Sequence, residues 1–448
     1  MEIRSKLASL PFPNRSIGPW FLAALLLLLS PSLPRPAEAR VILDINAPTI
    51  VQIPIVMPKW KADGKTGSAI YDALSKNLTL SGFFRVIDSS QLPASLQRKE
   101  GIPDNVVLQE WLPAGGEVLL AGEASLEPEG LQLKVRCYLF DLVEQKQLFG
   151  KVYEGHVQSL RQIVHYIADE VVLRLTGELG VHTTRLAYTV AQGTGKEVFV
   201  ADFDGGGVKQ ITQNQSINVS PAWSPDGRRI AFTSYLKRNP DLYFIDLDGR
   251  NLQRFSSAPG LNLAPSWSPD GKQIALMMGV DGKSEIVLMD ANGGNLRKLT
   301  KSHGNEASPS WSPDGKSIAF VSDRSGSPQV YIMANDGSNV RRLTYEGNYN
   351  TNPAWSPKGD RIAYCGRMGG RFEIITLRPD GSQLQRLTQN SGNNETPCWS
   401  PDGRYLAFSS TRTGESKIYI MNVNGFNQRP LTSSKGGESN PAWSRRFN

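Results

Sequence analysis

The sequence implies a closed six-bladed β-propeller, all-β, preceded by a smaller N-terminal α/β domain. Six tryptophans, Trp223, Trp267, Trp311, Trp355, Trp399 and Trp443, recur at one unbroken interval of 44 residues. Each follows Pro-Ala, Pro-Ser or Pro-Cys, and four run on as Trp-Ser-Pro-Asp-Gly. Self-similarity at a fixed period of about 40–50 residues is the mark of solenoids and propellers. The ends of the array are staggered. The first unit begins at its second strand, Leu186-Ala187-Tyr188, and Trp443 is followed only by Ser-Arg-Arg-Phe-Asn. An orphan first strand at the end thus matches a blade lacking one at the start. A closed ring explains this and an open solenoid does not.

Within each unit the strands follow in a constant frame. The tryptophan strand leads into a Ser-Pro-Asp-Gly turn, where proline presets φ, aspartate bonds the local backbone and glycine takes positive φ. An apolar triplet follows, as in Ile230-Ala231-Phe232 and Ile318-Ala319-Phe320. The third run is Tyr243-Phe244-Ile245 or Tyr331-Ile332-Met333, closed by an Asp-Gly or Asn-Gly hairpin signal. An apolar-hydroxyl pair such as Leu299-Thr300 ends the unit. These runs predict a four-stranded antiparallel blade over each repeat, and the propeller over 183–448.

Ahead of the repeat, residues 1–39 read as a secretory leader. Arg4, Lys6 and Arg15 precede the apolar run Trp20–Leu29, and Ala37-Glu38-Ala39 forms the cleavage pattern. The run is too short for a stable membrane span, so no direct membrane insertion is expected. Residues 40–180 read as the α/β domain. Arg40–Asn46 and Ile50–Val56 are β-prone, and Ser68–Leu80 places Ile70, Leu74 and Leu78 at helical spacing. Phe83–Ile87 is a strand, followed by a polar loop through Pro103. Glu117–Ala124, Leu131–Phe140 and Lys146–Tyr153 read as antiparallel strands, and Ser159–Leu175 as an amphipathic helix.

Composition excludes several function classes. The formal net charge of +7 is mild for 448 residues and no Lys/Arg run is interleaved with aromatics, so no nucleic acid is expected. The four histidines, His156, His165, His182 and His303, form no zinc-binding spacing. No Gly-x-Ser-x-Gly elbow occurs, and no sialidase-type box. Asp226, Asp270, Asp314 and Asp402 sit inside turns and read as structural, since Lys358 replaces the aspartate in one blade. The sequence thus predicts no enzyme, no cofactor and no metal. The three cysteines, Cys137, Cys365 and Cys398, show no Cys-x-x-Cys spacing and are expected as free thiols.

Surface remains. The connections from fourth to first strand include Ser302–Glu306, Glu346–Asn350 and Ser391–Glu395. Those from second to third strand include Ser322–Ser325, Gly366–Arg371 and Thr411–Thr413. Both sets fall on one face, giving a mouth with His303, Asn305, Glu306, Arg324, Asn348, Tyr349, Arg367, Arg371, Asn394 and Arg412 as candidate partner-binding residues. Arg and Tyr are enriched at interfaces.

The Pro-x-Trp-Ser-Pro-Asp-Gly repeats, the terminal Pro441-Ala-Trp-Ser444, and the segments Ser81–Ile87 and Val118–Ala124 resemble the TolB family of periplasmic propeller proteins. The resemblance spans essentially the whole chain after the leader. It implies a monomeric, non-enzymatic adaptor of the Tol–Pal system in the Gram-negative periplasm. It further implies a Pal-like peptidoglycan-associated lipoprotein at the mouth and a TolA-like inner-membrane protein at the N-terminal arm, Arg40, Val41, Ile42, Leu43, Asp44 and Ile45. Outer-membrane integrity, constriction during cell division and colicin-type protein import go with that role. The arm runs quickly into Pro48 and is short. It pairs within its own sheet or adds a strand to another protein. A secreted propeller hydrolase, or a similar propeller serving another envelope complex, are the alternatives.

Overall fold

The computed structural model describes residues 4–7, 52–102, 107–127, 130–280 and 282–447. It divides into two compact units, one ending at Gly180 and the other running from Val181.

The first unit is built on a mixed sheet. Its strands are β1 (Arg4–Leu7), β2 (Ile53–Val56), β3 (Lys61–Ala62), β4 (Phe84–Ile87), β5 (Val118–Leu126), β6 (Gln132–Asp141) and β7 (Lys146–His156), in the order β1-β7-β6-β5-β2-β4 with β3 beside β5. β2 pairs parallel with β4 and β5, whereas β5, β6 and β7 are antiparallel neighbours. β1 lies inside the predicted leader and pairs with Lys151–Glu154 of β7. The helix α1 (Thr66–Leu80) makes the crossover between β2 and β4, burying Ile70, Leu74 and Leu78 on one stripe. The polar loop expected through Pro103 contains the short helix α2 (Ala94–Gln97), whose Leu96 is buried. The last helix, α3 (Leu160–Thr176), buries Ile163, Ile167, Val171 and Leu175 and packs against α1. It stops at Gly177, whose left-handed backbone (φ +74°) lets its N–H cap Leu173 O at 2.9 Å. The Arg40–Ile45 arm lies outside the described residues.

The second unit is a ring of six four-stranded sheets. Blade 1 combines Arg185–Gln192, Gly195–Asp202 and Lys209–Gln210 with the final strand Glu438–Trp443. Trp443 pairs with Leu186 and Ala442 with Ala187, which is the expected closure. Blades 2 to 6 have inner strands Asn218–Trp223, Asn262–Trp267, Glu306–Trp311, Asn350–Trp355 and Asn394–Trp399. The apolar triplets supply the core: Tyr188, Phe232, Leu276, Phe320, Tyr364 and Phe408 are all fully buried. Burying each such side chain contributes roughly 1.5–3 kcal/mol.

Every inner strand carries a bulge at its X-Pro step, where pairing slips, as between Val219 and Ala222. The residue before the proline turns left-handed, for example Ser220 (φ 52°), Ala264 (φ 52°) and Thr396 (φ 52°). These six steps line the central channel. A β-branched or alanine side chain in that region costs energy, so the surrounding sheets must impose it.

The Ser-Pro-Asp-Gly turns are structural, as read. Ser224 Oγ donates to Asp226 Oδ1 at 2.5 Å, Arg228 N donates to the same oxygen at 3.0 Å, and Gly227 N reaches Ser224 O at 2.8 Å. In the blade carrying Lys358, Asp360 takes over and accepts from Ser356 Oγ at 2.8 Å. All three cysteines are free thiols, Cys137 and Cys365 being buried.

Candidate functional site

Loops between second and third strands, and those between consecutive blades, meet over blades 3 to 5. They enclose a cavity of about 720 Å3. One wall is apolar, made by Pro259, Leu261, Met277, Val321 and Pro328, with Tyr349 at the rim. The polar groups converging on it are Lys283, Asn305 and Asp323. A concave, mainly apolar site with a few placed polar groups is the ordinary form of a recognition pocket. Tyr349 is 40 % exposed and its ring meets Phe372 edge-on at 5.6 Å, so an aromatic face is held ready at the opening.

The wall is rigid because its two loops are tied together. Asp323 Oδ1 accepts from Asn305 N at 2.6 Å and Asp323 Oδ2 accepts from Asn305 Nδ2 at 3.0 Å. Beneath them Glu306, fully buried, accepts from Arg324 Nη2 at 2.9 Å, Ser322 Oγ at 3.1 Å and Ser302 Oγ. A buried carboxylate persists only when so paired. Arg324 in turn stacks on Phe320 and Tyr331, 5.6 and 5.1 Å from the ring centres.

The structure divides the ten candidate mouth residues by exposure. His303, Asn305, Asn348, Tyr349, Arg367 and Arg371 are exposed. Arg324 and Arg412 are half-buried, whereas Glu306 and Asn394 are fully buried and reach no surface. Asn305 and Tyr349 line the cavity. The sequence reading missed Leu261, Met277, Lys283 and Asp323. Leu261 carried a usable signal, an apolar side chain at a loop position that is Asn305 and Asn393 in two other blades. Met277 carried none, since a strand methionine reads as core.

On the opposite end, the turn aspartates have their own electrostatics. The hydrogen bond from Ser268 Oγ, then that from Lys272 N, holds the Asp270 carboxyl below the usual range. Ser312 and Lys316 N do the same for Asp314. Asp402 goes the other way, because burial pushes it up.

Comparison with known proteins agrees with this architecture. Residues 172–447 match the TolB beta propeller domain and residues 41–148 match the TolB amino-terminal domain. The chain is 34% identical over 214 residues to the Tol-Pal system protein TolB of Bordetella parapertussis, covering 48% of this chain and 47% of that protein. It is 39% identical over 233 residues to the corresponding protein of Syntrophus aciditrophicus, covering 50% and 51%. The chain thus spans about half the length of the curated relatives it matches. Among solved structures, TolB from Acinetobacter baumannii superposes with a TM-score of 0.78 at 28% identity, over 88% of this chain and 97% of that one. With a propeller match over 172–447, more than half of its length, the chain belongs to the TolB family.

Proposed function

We propose that the protein is a non-enzymatic periplasmic adaptor of a Tol–Pal system, exported with loss of residues 1–39. The mouth receives a Pal-like peptidoglycan-associated lipoprotein, and the arm Arg40–Ile45 engages a TolA-like inner-membrane protein. In that position it contributes to outer-membrane integrity and to constriction during division, and offers a route for colicin-type import. The observation that carries this reading is the 720 Å3 mouth cavity, apolar inside and rimmed by Tyr349 and Lys283. Such a pocket accepts a protein anchor side chain, with exposed Arg367 and Arg371 beside it for polar contacts. No described helix is long and apolar enough to cross a membrane, in keeping with an adaptor between anchored partners. Titration of the exported chain with the soluble domain of the Pal-like lipoprotein tests the reading. Saturable binding lost on Leu261→Asp supports it, and absence of binding rejects it.

A further inference from the structure

The propeller backbone repeats at 44 residues, but the side chains at equivalent positions differ from blade to blade. The aromatic pairs Tyr188–Phe199, Phe232–Tyr243, Phe320–Tyr331 and Phe408–Tyr419, at 6.1, 6.0, 5.9 and 6.0 Å, occupy blades 1, 2, 4 and 6. In blades 4 and 6 an arginine lies on the pair at equivalent positions. Arg412 sits 5.4 Å from the Phe408 ring and 4.4 Å from that of Tyr419, as Arg324 does over Phe320 and Tyr331. Each donates Nε to a serine, Ser322 Oγ at 2.8 Å and Ser410 Oγ at 2.9 Å.

The two sites differ in one group. Arg324 Nη2 meets the carboxylate of Glu306, whereas Arg412 Nη2 meets the amide oxygen Asn394 Oδ1 at 3.0 Å. Asn394 reproduces the geometry without cancelling the charge. The carboxylate behind it, Glu373, accepts from Asn394 Nδ2 at 3.1 Å and is already paired with Arg386 Nη2 at 2.8 Å. Among the described residues Arg412 has no ion-pair partner. It is therefore a half-buried guanidinium, fixed by two hydrogen bonds and two rings, with Nη1 uncommitted.

We propose that Arg412 is the carboxylate receptor of the mouth, taking an aspartate or glutamate side chain of the protein partner, and that Arg324 is not. This rests on the reading that the mouth binds a protein. A guanidinium held in place loses little freedom on pairing, and charge-assisted pairing with a carboxylate is strong and directional. Arg324 is excluded because Glu306 has already neutralised it.

Blade 4 supplies the test. Asn394→Glu installs in blade 6 what Glu306 is in blade 4. The flanking pair that accommodates a second carboxylate is present in both places, Glu285 with Lys298 at 3.1 Å and Glu373 with Arg386. The exported chain is titrated with the soluble domain of the Pal-like lipoprotein at low and high salt. Asn394→Glu and Arg412→Gln should each weaken binding about tenfold and flatten its salt dependence. Arg324→Gln should leave the salt dependence unchanged. Thermal unfolding of Asn394→Glu reports its fold, and if that variant does not fold, Arg412→Gln decides alone. Wild-type affinity and salt dependence in both variants, alongside loss of binding in Tyr349→Ala, would overturn the inference and leave the mouth reading intact. No binding by the unaltered chain would overturn both.

Discussion

Trp223 Nε1 donates to the carbonyl of Ala442 across 3.0 Å, so a blade 2 side chain holds the last strand of the chain in blade 1. The same bond recurs from Trp311 to Ser266 O at 3.2 Å and from Trp399 to Ala354 O at 2.9 Å. The other three tryptophans do not make it. Trp267 Nε1 is buried without a partner, Trp355 bonds within its own turn and Trp443 bonds Thr184 Oγ1. The tryptophan bond thus spans the 1–2, 3–4 and 5–6 junctions, and closure uses one of these three bonds.

Removing residues 441–448 should therefore cost far more than trimming a loose tail. It deletes a strand register, the Trp223 acceptor, and the Phe447 ring that Trp223 meets at 5.7 Å. It also removes the half-buried Trp443 ring, which packs against Phe203 and Tyr405 at 6.2 and 6.4 Å. Thermal unfolding of the truncated chain should shift down by many degrees, and an unchanged transition would refute closure.

Phenylalanine replacements separate the two tryptophan sets. Trp311→Phe strands the Ser266 carbonyl and should cost about 1–2 kcal/mol beyond the packing change. Trp267→Phe removes an N–H that has no partner and should cost less. Urea unfolding measures both, and equal losses would contradict the alternation of the tryptophan bond.

Glu306→Ala should be among the most damaging single changes in the propeller. It leaves Arg324 unpaired beneath the mouth, and breaking such a buried pair costs about 3–5 kcal/mol. Glu306→Gln keeps an acceptor and should cost less. Chemical denaturation at neutral pH ranks the two, and the opposite order would contradict the assigned network.

Acid should destabilise the propeller through its turns. The Asp270 and Asp314 carboxyls are depressed in the fold, so their stabilisation is complete above the unfolded value, near 3.8, and is lost as pH falls through the folded one. Asp402, raised by burial, opposes this: its charged form penalises the fold, and the penalty is relieved as pH falls through the raised value. Asp314→Asn should flatten the loss of stability below about pH 4, and Asp402→Asn should not. Both slopes come from unfolding curves taken at successive pH values.

The blades were legible because turn chemistry and the tryptophan recur without insertion, and closure because two half-blades cannot exist alone. The alternation of the tryptophan hydrogen bond was not legible, because all six tryptophans sit in the same 44-residue frame. The mouth was legible as a face and not as a site. Glu306 and Asn394 look like loop polar residues, yet they open inner strands and turn inward, Glu306 to Arg324 and Ser322 of its own blade and Asn394 to Glu373 of the neighbouring one. Met277 carried no sign of pocket-lining, since its strand gives no hint of where the sheet ends and the opening begins. The crossover between β2 and β4 was also hidden, because short apolar runs do not reveal which strands pair.

Calorimetric titration of the Pal-like soluble domain against the exported chain, with substitutions at both ends of the ring, tests the adaptor account most directly. Leu261→Asp, Tyr349→Ala and Arg412→Gln at the mouth are compared with Lys272→Glu and Lys316→Glu in the opposite turns. The account predicts saturable binding that weakens by about 2 kcal/mol for an anchor residue at the mouth and barely changes at the turns. Equal weakening at both ends, or no heat of binding at all, would contradict it.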